Sequence, residues 1–151
     1  MSTKIKTWEE KFYKKLYKRH KQNTKKVFHK LMKKSSTLRS SLKRRSKEYE
    51  VKFEISLDDI RRLFLRSYGR KCRYCDYNLD IYNIVCDHVY PISMGGNSDV
   101  ANLQIICKRC NTRKGNLTNK EFKNLLKWLS KQSENLQVYV LRKLAKGDIF
   151  R

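Results

Sequence analysis

Two Cys-x-x-Cys pairs constrain the fold of this chain more than any other feature of its sequence. The pairs are "CRYC" at 72–75 and "CKRC" at 107–110, and 31 residues separate them. A Cys-x-x-Cys turn brings two thiolates within reach of one tetrahedral metal ion, and two such turns complete a closed site of four thiolates. We therefore predict a structural Zn²⁺ held by Cys72, Cys75, Cys107 and Cys110. Four unrelated cysteines, or a redox pair, are the alternatives.

The segment that contains these cysteines needs a metal ion for its stability. The stretch 69–118 is short and carries few apolar side chains, and a segment of this size rarely buries enough apolar surface to fold alone. A structural zinc ion supplies about 10–16 kcal/mol of apparent binding free energy. The fifth cysteine, Cys86, lies in the apolar run "NIVC". We interpret it as a small core residue in preference to a functional thiol.

The charge of the chain indicates its partner. There are 37 Lys and Arg against 14 Asp and Glu, a formal net charge of +23, which points to a polyanion such as DNA, RNA or an anionic membrane. No apolar run approaches the roughly 18 residues of a membrane-spanning helix, and no signal peptide opens the chain. We therefore expect a soluble, intracellular, cytoplasmic protein that binds nucleic acid and no membrane. Disulfides are rare in such a compartment, which favours metal ligation by the cysteines.

The first third of the chain is especially basic, with 18 Lys and Arg against 4 Asp and Glu in residues 1–50. Apolar residues recur every four positions from Trp8, and a second apolar cluster spans 27–32, which predicts two short amphipathic helices. The letters "SST" at 35–37 are predicted to separate them from a third basic stretch that contains Lys43, Arg44 and Arg45. A solvated, partly disordered tail is the alternative. We favour helices that follow a nucleic-acid backbone and become ordered at least partly on binding.

Helix signals recur on both sides of the cysteine region. Ser56 with Asp59, and Thr118 with Glu121, stand in capping-box spacing ahead of apolar helical faces. A last helix is predicted over about 134–146, ended by Gly147.

The polar residues between and after the cysteine pairs form a further pattern. The segment reads "VCDHVYPISMGGNSDVANLQIICKRCNTRKGN", with a strand ending at Asp87 and His88, a loop, a strand over "NLQIIC" and a helix from "CKRC". A strand–loop–strand–helix unit clamped by zinc brings Asp87, His88, Asn102 and Asn111 towards one place. Taken singly, each of these residues has a structural explanation in a surface turn or a helix cap.

On "CRYC", "DHVYPISMGG", "NLQIIC" and "CKRCNTRKG", the sequence resembles the HNH endonuclease family. The resemblance implies an α+β fold: a zinc-bound treble clef with a ββα-metal core, flanking helices and a basic helical N-terminal arm. It implies a nucleic-acid-binding arm over 1–50, a nuclease domain over 51–118, and C-terminal helices over 119–151 that pack on or extend that domain.

The resemblance also implies roles for single residues. His88 corresponds to the general base and Asp87 to a metal ligand. Asn102 corresponds to the central Asn that fixes the loop and orients the His, and Asn111 to the other metal ligand, so the chain is of the H-N-N variety. One carboxylate and one amide oxygen suit Mg²⁺, with Mn²⁺ as an alternative, better than a second zinc ion.

The expected function is that of a metal-dependent DNA endonuclease, a hydrolase of phosphodiester bonds. It would be a small free-standing enzyme of homing or phage type, without a small-molecule cofactor, in a cell or a phage-infected host. A basic cluster around the site is expected to hold phosphates: Lys108, Arg109, Arg113 and Lys114. The alternative from another class is a non-catalytic, zinc-clamped module that binds DNA or RNA. Within the nuclease class, restriction, packaging and junction-resolving roles also stay open.

Overall fold

A computed structural model describes residues 7–146 of the chain. Six helices and four short strands follow one another in a mixed α and β arrangement. The helices are α1 (Trp8–His20), α2 (Thr24–Glu48), α3 (Leu57–Ser67), α4 (Lys108–Lys114), α5 (Asn119–Leu129) and α6 (Glu134–Ala145). The strands are β1 (Phe53–Glu54), β2 (Ile84–His88), β3 (Ser98–Asp99) and β4 (Leu103–Cys107).

The N-terminal region contains two helices joined by a single 3-10 turn, Lys21–Asn23. The predicted separation at "SST" is wrong, because α2 continues through these residues for 25 residues in all. The hydroxyls of Ser35 and Ser36 donate to the carbonyl of Met32, and Thr37 donates to that of Lys33. Since these side chains bond to carbonyls within the helix, they do not divert the backbone into a turn.

These two helices belong to the same core as the cysteine region. Phe12, Leu16 and Leu31 are completely buried, and they form one hydrophobic cluster with Ile60 and Ile106. The N-terminal region is therefore built into the fold and is not a detached arm. Polar contacts add to the packing: Trp8 Nε1 donates to Asp58, and Arg19 donates to the carbonyl of Gly69.

The capping boxes predicted from the sequence are both formed. Ser56 and Asp59 exchange side-chain and backbone hydrogen bonds at the start of α3, and Thr118 and Glu121 do the same at α5. Helix α6 ends at Ala145. Gly147, predicted to end this helix, lies outside the described residues.

An antiparallel hairpin of β2 and β4 carries the polar segment. Its register pairs Asp87 with Gln104 and His88 with Leu103. Helix α4 follows β4 directly, with Cys107 as its N-cap. A second, parallel pair joins β1 to β3, with Phe53 opposite Ser98. This pair attaches the hairpin loop to the segment that follows α2.

A smaller apolar cluster holds the C-terminal helices together through Leu129, Val140 and Leu144. None of the helices between residues 7 and 146 is long and apolar enough to cross a membrane.

Candidate functional site

The four cysteines of the two Cys-x-x-Cys pairs meet in space. Their Sγ atoms all lie within 4.8 Å of one another, and those of Cys75 and Cys107 are 3.6 Å apart. Tetrahedral coordination at the usual Zn–S bond length places sulfur atoms about 3.8 Å apart. The four side chains therefore fit a zinc ion, and a set of four leaves no open coordination position.

Hydrogen bonds within the cluster favour a thiolate at Cys72. The amide of Cys107 donates to Cys72 Sγ, and the amide of Cys110 donates to Cys107 Sγ, each at 3.4 Å. The pKa of Cys72 is lowered to about 4, chiefly by a hydrogen bond from the Cys110 thiol. The same bond raises the pKa of Cys110, and burial raises the pKa of Cys107. Since the thiolate is the form that binds metal, Cys72 suits ligation as it stands, and Cys107 and Cys110 would release protons on binding the ion. Cys86 differs: burial raises its pKa to about 12, which fits its interpretation as a packing residue.

Asp87 lies at the buried side of the hairpin and is held by two partners. Gln104 Nε2, directly across the strands, donates to Asp87 Oδ2 at 2.8 Å. Lys114 Nζ lies 3.0 Å from the same oxygen and also donates to the carbonyl of His88. The Gln104 amide contacts Tyr74 and Asn119 as well. Tyr74 lies between Cys72 and Cys75 in the sequence. A hydrogen-bond network therefore connects the segment that carries the first cysteine pair to Asp87.

His88 is 4% exposed, and its ring is fixed by a hydroxyl. Its Nε2 lies 2.9 Å from Ser98 Oγ. The pKa of His88 is lowered to about 4, first by burial and then by the positive charges of Arg45 and Lys114. The imidazole is therefore neutral near pH 7, with Nδ1 as its second ring nitrogen.

Asn102 fixes the hairpin loop from inside. Its side chain accepts from the Tyr90 amide at 2.8 Å and donates to the carbonyls of Tyr90 and Asn97. These bonds join the two ends of the hairpin loop. Gly96 packs against the same Tyr90 carbonyl. A Cβ at this position would lie 2.0 Å from that oxygen, so a side chain does not fit here. The direct contact on the His88 ring comes from Ser98.

Three of the four predicted site residues line one cavity of about 220 Å³. Asp87 and His88 enter it from β2, Asn111 from α4, and Arg45 from the last turn of α2. The rest of the lining consists of Cys86, Pro91, Ile92, Thr112, Gly115 and Asn116. One carboxylate and one amide oxygen at a single cavity form a donor set that fits a hard divalent cation. Asn102 is not part of the lining.

The predicted phosphate-binding residues differ in exposure, and one of them, Arg45, is half-buried and lines the cavity. Lys43, Arg44, Lys108 and Arg109 are exposed, and the Arg109 guanidinium lies over the Tyr77 ring at 4.0 Å. Arg113 is half-buried, and its Nε has no partner among the described residues. Lys114 requires a correction. Its side chain is fully buried and bound to Asp87 and His88, so it cannot contact a phosphate at the surface.

Sequence reasoning missed Ser98, Gln104 and the burial of Lys114. A local signal existed for Gln104, since it is the one polar residue inside the strand "LQIIC". No local signal marks Ser98, which lies among the polar loop residues "GGNSD".

A family model described as HNH endonuclease matches residues 72–127 of the chain, the part that contains both cysteine pairs, the hairpin, α4 and most of α5. No curated protein matches the chain. Residues 72–127 are therefore similar to the HNH endonuclease family.

Proposed function

We propose that the protein is a DNA endonuclease that hydrolyses phosphodiester bonds with a divalent metal ion, Mg²⁺ or Mn²⁺. The convergence of Asp87, His88 and Asn111 on one cavity in a strongly basic chain carries this proposal. The four-cysteine cluster, adjacent through Gln104 and Tyr74, would hold a structural Zn²⁺.

The residues of the cavity have complementary roles. His88, neutral near pH 7, would take a proton at Nδ1 from the attacking water. Asp87 and Asn111 would hold the divalent ion, which offsets negative charge on the phosphate oxygens. Arg45 would add a guanidinium to the same phosphate. Lys114 and Gln104 keep the Asp87 carboxylate in place.

The exposed cations would bind the DNA backbone. Lys25, Lys26, Lys30 and Lys33 are exposed along α2, as are Lys108 and Arg109 at the start of α4. We propose that residues 1–50 provide affinity, 51–118 the reaction, and 119–151 support for α4. Because phosphate contacts release counterions, binding should weaken steeply with salt.

The test is the nicking of supercoiled plasmid with Mg²⁺. His88→Ala should abolish cleavage while DNA binding and zinc content stay at the wild-type level. A protein with bound zinc that cuts no DNA, cognate substrate included, would contradict the proposal. That result would favour the second candidate, a non-catalytic DNA- or RNA-binding module, which the same basic surface would serve.

Within the nuclease class, we propose a free-standing enzyme of homing or phage type that acts on cytoplasmic DNA. The basic N-terminal helices, which lie outside the matched segment, support a protein that finds DNA by itself. Sequencing of cleavage ends from a genomic library tests this proposal. Cuts at one long recognition site are expected. Frequent cuts at short sites, or cuts confined to branched DNA, would favour restriction or junction resolution.

A further inference from the structure

The N-terminal helix α2 contacts the catalytic histidine through two buried serines. Ser46, in the last turn of α2, has its Oγ 2.8 Å from Ser98 Oγ, and Ser98 Oγ lies 2.9 Å from His88 Nε2. We propose that Ser46 and Ser98 are positioning residues that hold the His88 ring with Nδ1 available to the cavity. This inference rests on the proposed function of His88 as the base.

The hydrogen-bonded contact between Ser46, Ser98 and His88 is buried. Ser46 is 1% exposed, Ser98 is 0% exposed and His88 is 4% exposed. Bulk water therefore cannot replace either hydroxyl, and loss of one would leave a buried polar atom without its partner. The orientation of the ring thus depends on residues that solvent does not reach.

The chemistry of a hydroxyl suits this position. For the ring to accept a proton at Nδ1, its own hydrogen must lie on Nε2. A hydroxyl has one hydrogen and two acceptor lone pairs, so Ser98 can accept a bond from Nε2–H of His88 and donate its own hydrogen to Ser46 Oγ. Since both serines are uncharged, they fix the ring without adding a negative charge beside Asp87.

The backbone holds Ser98 in place relative to α2. The Ser98 amide donates to the Lys52 carbonyl at 2.9 Å, and the Lys52 amide donates to Asn97 Oδ1 at 3.2 Å. Val51 in turn donates to the carbonyl of Ser46. These bonds attach the hairpin loop to the end of α2, which lies outside the matched segment 72–127. The site is therefore incomplete without the N-terminal helices.

A purely structural role for the serines makes a different prediction. Buried hydroxyls that only satisfy one another would affect the free energy of unfolding and leave the rate of the folded enzyme unchanged. Positioning residues affect kcat while KM for DNA stays the same, because the ring is misaligned only for the reaction.

The experiment compares serine variants of the full-length protein loaded with zinc. Ser98→Ala should lower kcat for plasmid nicking about 10- to 100-fold, as removal of a partner that orients a functional His does in metal sites. Ser46→Ala should lower it about 3- to 10-fold, the equivalent of one neutral hydrogen bond. Ser98→Thr keeps the hydroxyl and should restore most of the rate. KM, zinc content and DNA binding should match the wild type.

The matched control is Ser35→Ala. Ser35 lies on the same helix, is 0% exposed and bonds to Met32 and Arg61, away from the cavity. Its loss should lower stability and leave kcat unchanged. Full kcat in Ser98→Ala and Ser46→Ala, or an equal loss of kcat in Ser35→Ala, would overturn the inference.

A spectroscopic measurement makes the test independent of activity. The chain has three histidines, so ¹⁵N NMR of the imidazoles can be assigned with a His88→Gln variant. We expect His88 as the Nε2–H tautomer in the wild type and a mixture of tautomers in Ser98→Ala. An Nδ1–H tautomer in the wild type would overturn the inference. A wild type that cleaves no DNA but shows the Nε2–H tautomer would contradict the proposed function alone.

Discussion

The ammonium group of Lys114 lies 3.0 Å from Asp87 Oδ2, and the lysine side chain has no exposed surface. The pair joins β2 of the hairpin to α4, and Asp87 also lines the cavity. A buried carboxylate needs a positive partner, since an unpaired charge is strongly disfavoured in a protein interior. The arrangement makes Lys114 a support for the candidate metal ligand.

Removal of this cation should therefore lower the stability of the folded protein. Lys114→Met is expected to lower the free energy of unfolding by about 3–5 kcal/mol, because it leaves the Asp87 carboxylate buried without its partner. Chemical denaturation of the zinc-loaded protein measures the loss. Lys108→Met, on the exposed side of the same helix, should change stability by no more than about 0.5 kcal/mol. Equal effects of the two variants would contradict the supporting role.

The cysteine cluster predicts a dependence of folding on zinc. Cys110→Ser should lose the stoichiometric metal and the cooperative thermal transition, because the segment has little apolar surface to replace the binding free energy of zinc. Metal analysis and thermal melting measure both. Cys86→Ala, which changes the cysteine outside the cluster, should keep its zinc. Retention of zinc by Cys110→Ser would disprove the four-cysteine assignment.

The lowered pKa of His88 predicts that stability falls in mild acid. The folded protein takes up this proton only near pH 4, whereas an unfolded histidine takes it up near its ordinary value of about 6.5. The unfolded state therefore binds more protons between these values, and the contribution of His88 to stability is lost as the pH falls from about 6.5 towards 4.

Between pH 7.5 and pH 5, His88 should account for a loss on the order of 2 kcal/mol in the free energy of unfolding. Denaturation curves of the wild type and His88→Gln at both pH values isolate this part, since all other titrating groups are shared. The difference between the two proteins should shrink at pH 5. Parallel pH dependences would show that His88 is not held neutral by the fold.

Two adjacent arginines on α2 allow a charge-matched test of the cavity. Arg45 lines the cavity, while Arg44 is exposed and lies 3.8 Å from Glu48. Arg45→Gln should lower kcat at saturating DNA at least about 10-fold, because it removes a cation from the place where charge develops.

Arg44→Gln removes the same charge from the outer face and should affect only DNA affinity. Cleavage rates at saturating DNA and binding curves at fixed salt separate the two effects. Equal kcat values for the two variants would exclude Arg45 from the reaction.

The features that the sequence predicts well are those set by local spacing. The capping boxes at Ser56 and Thr118 need only residues three positions apart, and both are present. The two Cys-x-x-Cys turns also act locally, and the hairpin between them brings the pairs together. Asp87, His88 and Asn111 follow from the same unit, which explains why they line one cavity.

The features that the sequence does not predict depend on contacts between distant segments. Ser46 and Ser98 are 52 positions apart, and neither has a neighbour in sequence that marks the other as a partner. Lys114 looks like one of many surface cations until the packing of α4 on the hairpin encloses it. The sequence does not predict the continuity of α2 for a different reason. Ser and Thr favour turns unless their hydroxyls bond to carbonyls within the helix.

The uninterrupted α2 also sets a distance. From Arg45 at the cavity back to exposed Lys25, an α-helix rises about 30 Å. One turn of DNA is about 34–36 Å long. In the proposed function, the end of α2 that carries Arg45 lies at the cleaved bond. The exposed lysines of this straight helix then extend away from that bond along the DNA. The protected DNA would then extend about one turn to one side of the cleaved bond, so that the footprint is asymmetric about the cut.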